Sequence, residues 1–399
     1  MLGLKQQARA EDRTRILFVN HVGQVSGAEN SMLALLRHLD DDQFHPRVAV
    51  PREGPLASEL GDLDIEVEFI PRLRLQRTHN PVSLAAQAAG FFNCRTRLGA
   101  IVQDFQPHVI HANSLISALV ATTWRFGMPP VIFHARDLSL PHRSTQWAAS
   151  GAASIVAISE CVRKAVIEIA PDEADRVEVI YNGIDTDEFA PSRPPEQVRD
   201  ALGVSADEIL IGNVGQLLPW KKQDIFIRAA SIVADRLPEA RFVIVGADLF
   251  GENPQYVTSL RQLAADSGIS ERIIWAGYRD DVADLIAAMD VMVHAADREP
   301  LGRVIIESLA VGTPCVAVNS AGPAEIIEDM HSGLLTEPTP EALAEGALTI
   351  ATKPRLAADF TEAGRKRISK DFSAADQAQK TQQLYLSLRS REDTRGWGL

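Results

Sequence analysis

The sequence predicts an α/β protein made of two doubly wound domains, and three observations carry that prediction. Short apolar runs alternate with longer amphipathic stretches through 15–181, and the same alternation restarts at 209. Between the two series lies Phe189-Ala190-Pro191-Ser192-Arg193-Pro194-Pro195, a proline-rich break that follows the turn signal Tyr181-Asn182-Gly183-Ile184-Asp185. The length, 399 residues, is enough for two separate cores.

The elements of the first half follow in order. Residues 15–20 (Arg-Ile-Leu-Phe-Val-Asn) form an apolar run bounded by polar residues, as expected of a buried parallel strand. His21 to Ser26 is a loop, and Gly27-Ala28-Glu29 opens an amphipathic helix reaching about residue 39. A glycine at such a turn lets a ligand approach the backbone, although one glycine alone is a weak signal. Further strands are expected at 47–50, 65–70, 109–111, 131–134, 154–158 and 177–181, with helices at 84–103, 115–126 and 160–169. Val131-Ile132-Phe133-His134-Ala135-Arg136-Asp137 ends a strand, the place where these sheets bind ligands. Its polar groups either meet substrate, Arg136 being suited to an acceptor phosphate, or satisfy loop hydrogen bonds.

In the second half, strand 209–214 ends at Gly215. After the loop Gln216-Leu217-Leu218-Pro219-Trp220, Lys221 stands at a loop-to-helix junction, a position suited to a diphosphate. Lys222 is either a second cation for the same diphosphate or a solvated helix charge. Strands at 241–246 and 272–275 and helices at 254–266 and 282–289 lead to the turn Gly277-Tyr278-Arg279-Asp280-Asp281 and then to the most informative stretch, 291–325. There an apolar strand, 291–295, precedes the polar turn Asp297-Arg298-Glu299-Pro300. A helix then starts at Leu301-Gly302-Arg303-Val304, with Pro300 where a first turn accepts proline. Pro314 and the run 315–318 begin the next strand. Gly333-Leu334-Leu335 and a helix from about 340 finish the domain, and a last helix covers 373–388.

The helix start at 301–304 is a ready anion site, because its free amides and dipole favour negative charge. Glu299 and Glu307 flank it. Carboxylates repel phosphate, so they are expected to accept hydrogen bonds from hydroxyls, and a ligand with both phosphate and sugar hydroxyls fits. Taken alone, each glutamate reads equally as a loop charge or a solvated helix residue. The surrounding order changes this. Glu-Pro-Leu-Gly-Arg-Val-Ile-Ile-Glu, then Ala-Val-Gly-Thr-Pro, then Gly322-Pro323-Ala324-Glu325, closely resembles the donor-binding segment of retaining glycosyltransferase family 4.

The resemblance extends from about Arg15 to Leu388. It implies the GT-B architecture: two facing Rossmann-like domains with a C-terminal helix crossing back to the first. The second domain would hold a nucleotide sugar and the first an acceptor. It places Glu307 on ribose hydroxyls. Glu299, with the backbone of Leu301 and Gly302, meets donor-sugar hydroxyls, and the Val304 N–H meets phosphate, with Glu325 orienting the group. Lys221 matches the family lysine, whereas Gln216 stands where the family has an arginine after Gly215. Tyr278 and Arg279 become candidates for the nucleotide base. Gly27 sits at the first-domain turn, where Ser26 replaces a second glycine. In the family a His-Asp pair often reaches the donor sugar near 136–137. Here Arg136-Asp137 occupies that place with His134 two residues earlier, so His134, Arg136 and Glu299 are the expected catalytic set.

Composition narrows the partners. A net charge of −13 argues against a nucleic-acid binder, and 46% hydrophobic with 23% charged residues is ordinary for a globular protein. The residues 69–103 contain Arg72, Arg74, Arg77, Arg95 and Arg97 and neither Asp nor Glu. They form either an acceptor or anionic-membrane patch, or a solvated surface whose arginines pair with distant carboxylates. Cys94, Cys161 and Cys315 lack metal or redox spacing, which points to reduced thiols. No stretch reads as a signal peptide or membrane span. The expected protein is cytoplasmic, with any contact at the inner face of the plasma membrane peripheral.

The expected organisation is a flexible N-terminus (1–14), an acceptor domain (15–190), a linker (191–207), a donor domain (208–372), a crossover helix (373–390) and a tail (391–399). The expected activity is retaining, metal-independent transfer of a sugar from a nucleotide-diphosphate sugar to a saccharide or lipid-linked hydroxyl acceptor. No cofactor is expected beyond that co-substrate. A nucleotide-sugar epimerase of the same fold and a catalytically inactive sugar-nucleotide-binding subunit are the alternatives.

Overall fold

A computed structural model describes residues 13–73, 80–123, 128–249 and 251–395. Arg74 and Arg77, and the first twelve residues of the expected flexible N-terminus, lie outside the described residues. The chain forms two units. One ends at Gly183 and resumes at Ala374, and the other is Ile184–Ser373.

The first unit is built on a seven-stranded parallel sheet in the order β3-β2-β1-β4-β5-β6-β7. Its strands are β1 (Thr14–Val19), β2 (Phe44–Val50), β3 (Glu66–Phe69), β4 (Val109–Ala112), β5 (Val131–Ala135), β6 (Ser154–Ala157) and β7 (Val177–Val179). β4, β5 and β6 are buried throughout, which is why they read as continuous apolar runs rather than alternating ones. Helices pack against the sheet, Leu115–Thr122, His142–Gly151 and Glu160–Ile169 all lying on β5. The helix Gly27–Arg37 is started by Ser26, whose N–H and hydroxyl both donate to the Glu29 carboxylate, at 3.1 and 2.6 Å. Two helices here, Leu56–Gly61 and His142–Gly151, are absent from the sequence expectation. The first is too short to show a period, and the second is polar along most of its length.

The last helix, Ala374–Arg395, belongs to this unit. It lies against the helix Gly27–Arg37 and strands β1 and β4. Its Tyr385 is fully buried and stands edge-on to Phe18, with ring centroids 6.4 Å apart, and 6.0 Å from Phe44. Ala378 and Leu388 join the same core. The expected tail begins too early, because this helix continues through Arg395.

The second unit repeats the plan with six parallel strands in the order β10-β9-β8-β11-β12-β13. These are β8 (Ile209–Val214), β9 (Ala240–Val245), β10 (Ile273–Gly277), β11 (Val291–His294), β12 (Cys315–Val318) and β13 (Leu334–Thr336). The segment expected to be a linker, 191–207, contains the helix Pro195–Leu202. Pro195 occupies its first turn, where a proline costs no hydrogen bond, and Gly203 closes it at φ 70°. Asp284 holds the preceding chain by accepting from the Ser192 and Arg193 amides at 2.6 and 3.1 Å and from Arg193 Nε at 2.8 Å. The prolines therefore mark a helix start inside the second unit, which begins at Ile184 rather than at 208. The helix Pro354–Asp371 is a further element that the sequence expectation lacks.

In both sheets the strand order reverses beside the first strand, between β1 and β4 and between β8 and β11. Loops leaving the carboxyl ends at such a point diverge and leave a crevice, the usual ligand position in this kind of sheet. Among the described residues, no helix is long and apolar enough to cross a membrane.

Candidate functional site

In the second unit the reversal point brings together the ends of β8 and β11. Gly215 follows β8 and donates its N–H to Val245 O at 2.9 Å. Next to it, Gly246 has φ 142°, and a Cβ there would lie 1.9 Å from Gly215 O, so the two loops touch backbone to backbone. Gly246 N–H in turn donates to Gly277 O at 2.8 Å, tying the loop of Tyr278 into the same row. The Gln216 carbonyl accepts from Gln223 Nε2 at 2.8 Å, which fixes the loop against the following helix.

Lys221 ends the short turn Pro219–Lys221, and its Nζ donates to Glu299 Oε2 while lying 4.3 Å from the centre of the Trp220 ring. His294, the last residue of β11, bonds the same oxygen through Nε2 at 3.2 Å. A carboxylate only accepts, so the proton is on Nε2, and Nδ1 is buried with no partner. Burial raises the Glu299 pKa, but the Lys221 charge and the His294 hydrogen bond outweigh it and bring the group down to about 2.

Glu307 meets a different cation. It lies in the helix Arg303–Val311, four residues after Arg303, whose Nε donates to its Oε1 at 2.7 Å. Burial pushes the Glu307 pKa up, opposed by Arg303 and then Lys221. Gly302 precedes the helix with φ 101°, a conformation that favours glycine. Leu301 and Gly302 are buried, and Val304 lies in the first helical turn. Gly322 N–H donates to Glu299 O at 3.0 Å, and a Cβ on Gly322 would sit 2.3 Å from Leu301 Cα. The backbone of the 299–302 turn is thus held against Gly322 by a hydrogen bond and by close packing. Glu325 stands nearby in the short helix Pro323–Ile326, where Arg367 donates to its carbonyl at 2.9 Å.

Other expected residues lie differently. Tyr278 is 59% exposed, beyond the end of the edge strand β10. Arg279 donates to both carboxylate oxygens of Asp281, so its fork is occupied. Gly27 is an exposed first-turn residue, whereas the glycine packed too tightly to replace is Gly23, where a Cβ would lie 1.8 Å from Glu53 O. Arg72 is exposed, and Arg97 donates to Glu68 at 2.8 Å and to Phe69 O at 3.0 Å. Arg95 is half-buried in the helix Pro81–Phe105.

In the first unit the ends of β1, β4 and β5 carry a buried polar chain. Arg136 is 8% exposed rather than open to a substrate. Its guanidinium donates to Asn113 O at 3.1 Å, Asn113 Oδ1 at 2.6 Å and Asn182 Oδ1 at 3.1 Å. Asn113 passes the chain to Asn20 at 2.9 Å, and Asn20 to Glu29 at 3.1 Å. On the other side Arg136 Nη2 reaches His134 Nδ1 at 3.2 Å, His111 Nε2 reaches the same nitrogen at 2.9 Å, and Tyr385 OH reaches His111 Nδ1 at 2.7 Å.

The direction of these bonds follows from one residue. Arginine can only donate, so His134 Nδ1 accepts, His111 Nε2 donates and the Tyr385 hydroxyl donates to His111 Nδ1. The His134 proton is then on Nε2, which is buried and without a partner. Burial, and secondly the Arg136 charge, lower both histidine pKa values, His111 to about 3. Both rings are neutral at pH 7.

Sequence reasoning missed His294, Arg303, His111, Asn113 and Tyr385. A histidine closing the apolar run of β11 and the i, i+4 spacing of Arg303 and Glu307 were both readable. The Tyr385–His111 bond spans 274 positions and left no local signal.

Comparison with known proteins bears on the family and the fold. Residues 25–188 match the sequence family Glycosyltransferase Family 4, and 195–367 match Glycosyl transferases group 1. The Bacillus subtilis protein named "Putative glycosyltransferase YtcC" is 28% identical over 59% of this chain and 60% of its own length. The Escherichia coli UDP-Gal:alpha-D-GlcNAc-diphosphoundecaprenol alpha-1,3-galactosyltransferase is 22% identical over 94% of this chain and 97% of its own. The crystal structure of Anabaena HepE in complex with UDP-glucose superposes with a TM-score of 0.81 at 26% identity, covering 94% of this chain and all of that one. The chain belongs to glycosyltransferase family 4 and has the GT-B fold.

Proposed function

We propose that this protein is a retaining, metal-independent glycosyltransferase that moves a hexosyl group from a nucleotide-diphosphate sugar to a hydroxyl acceptor. The observation that carries the reading is the pairing at the ends of β8 and β11, Lys221 with Glu299 and Arg303 with Glu307. A lysine and a glycine-started helix suit the diphosphate, and two carboxylates suit ribose and sugar hydroxyls. Glu307 takes the ribose. Glu299, with the Leu301 and Gly302 backbone, takes the sugar, the Val304 N–H takes phosphate, and Glu325 supports the turn. With Lys221 and the amides of the helix start holding the diphosphate, the acceptor oxygen bonds the anomeric carbon as the diphosphate departs from the same face and takes the acceptor proton, which gives retention.

His134 contributes a neutral Nε2–H as a hydrogen-bond donor, and Arg136 sets that tautomer rather than touching substrate. UDP is the first nucleotide to test, because the Anabaena neighbour holds UDP-glucose. The acceptor is a saccharide or a lipid-linked saccharide in cell-surface or exported polysaccharide or glycolipid synthesis. The E. coli relative, named for a diphosphoundecaprenol acceptor, supports the lipid-linked case. The helix Pro81–Phe105, which exposes Val82, Leu84 and Phe92, provides peripheral contact with an anionic membrane beside the exposed Arg72.

The test is incubation with UDP-, GDP- and ADP-sugars and a panel of saccharide and lipid-linked acceptors in EDTA. Products are read by mass spectrometry and the anomeric configuration by NMR. EDTA-resistant transfer with retained configuration is the expected result. Free epimer without acceptor would make the protein an epimerase, and donor binding without turnover would make it an inactive subunit.

A further inference from the structure

The two cations at the donor site are not used in the same way. Lys221 is already committed, with Nζ on Glu299 and over the Trp220 ring. Arg303 holds Glu307 through Nε alone. Its Nη1 is buried and has no hydrogen-bond partner. A guanidinium carries five N–H donors in a rigid fork, and leaving one of its nitrogens buried without an acceptor is unfavourable. In a protein that has selected an arginine at this position, such a nitrogen marks a place for an acceptor.

Charge accounting points the same way. Glu299 and Glu307 are balanced by Lys221 and Arg303, so these four groups have no surplus positive charge. A nucleoside diphosphate adds two or three negative charges and needs cationic N–H donors that are not already taken. Lys221 bonds Glu299 just before the helix start, and Arg303 bonds Glu307 from the first residue of that helix, so the two cations flank one helix start. Ribose hydroxyls arriving at Glu307 replace the single bond that Arg303 now supplies, which frees the guanidinium to turn outward. We infer that Arg303 is the second cation of the diphosphate site, donating from Nη1 to a phosphate oxygen beside Lys221. The inference rests on the reading of this site as a nucleoside-diphosphate site.

The experiment compares UDP with uridine. Calorimetry gives the UDP affinity and NMR titration the weaker uridine affinity, for wild type, Arg303→Met and Arg303→Lys. The expected result is a roughly tenfold to hundredfold loss of UDP affinity in Arg303→Met, with uridine affinity changed by less than about twofold. Arg303→Lys keeps the charge without the fork and is expected to fall between them. It also carries the test should the methionine variant fail to fold. Equal losses for UDP and uridine would overturn the inference, because Arg303 would then merely orient Glu307. So would unchanged UDP binding. If wild type binds neither UDP, GDP nor ADP, the nucleotide reading itself fails and takes this inference with it.

Discussion

Replacing Glu299 by glutamine tests the central pairing directly. In the folded protein Glu299 is 7% exposed, its carboxylate is bonded by Lys221 and His294, and its pKa falls from the ordinary 4.5 to about 2. That fall corresponds to about 3 kcal/mol of stability at neutral pH. Because the folded-state value is depressed, the contribution is complete above about pH 4.5 and is lost as pH falls toward 2. Glutamine keeps the shape but leaves the half-buried Lys221 without its counter-charge, a change that costs about 3–5 kcal/mol for a fully buried pair. We therefore expect Glu299→Gln to lower the unfolding free energy of the second unit by about 3 kcal/mol at pH 7. The difference should stay constant down to about pH 5 and narrow at pH 3.5. Urea titrations followed by circular dichroism and tryptophan fluorescence at these pH values measure it, Trp220 being placed to report on Lys221. A loss below about 1 kcal/mol, or a difference that does not narrow in acid, would refute the claim that this ion pair organises the site.

Three further outcomes follow from the geometry. Tyr385→Phe keeps the packing on Phe18 and Phe44 but leaves His111 Nδ1 without a donor, and should cost about 1–3 kcal/mol in urea unfolding. His111 and His134 are buried neutral with lowered pKa values, so the unfolded chain binds their protons first as pH falls. Stability should decline progressively below pH 6.5, and a melting series from pH 7 to 4 checks the sign. Gly322→Ala places a Cβ 2.3 Å from Leu301 Cα, so the 299–302 turn must shift. We expect at least a roughly tenfold weaker nucleotide affinity by calorimetry, with a stability loss of about 1–3 kcal/mol.

What could be read from the sequence was what depends on neighbours along the chain. Apolar runs such as 315–318 are strands buried on both faces, and their length and spacing carry the information. Glu299 and Glu307 were legible because they flank a helix start and because the ordered run around them resembles the family's donor-binding segment. The i, i+4 spacing of Arg303 and Glu307 was equally visible, but Arg303 entered only as part of the helix start. The prolines at 194–195 misled because proline both breaks chains and starts helices, and only tertiary packing against Asp284 separates the two. Arg136 was legible as a charged group at a strand end, but not as buried, because its acceptors Asn113 and Asn182 come from two distant loops.

The last helix has a consequence in time. The core of the first unit includes Ala378, Tyr385 and Leu388, which the ribosome makes only after the whole of Ile184–Ser373. At ordinary translation rates that interval is on the order of 10–40 s. Throughout it the seven-stranded unit has Phe18, Phe44 and the His111 ring without the residue that covers them. A nascent chain therefore carries an unfinished N-terminal core until the helix that starts at Ala374 has been made, and any truncation before Ala374 makes that transient state permanent.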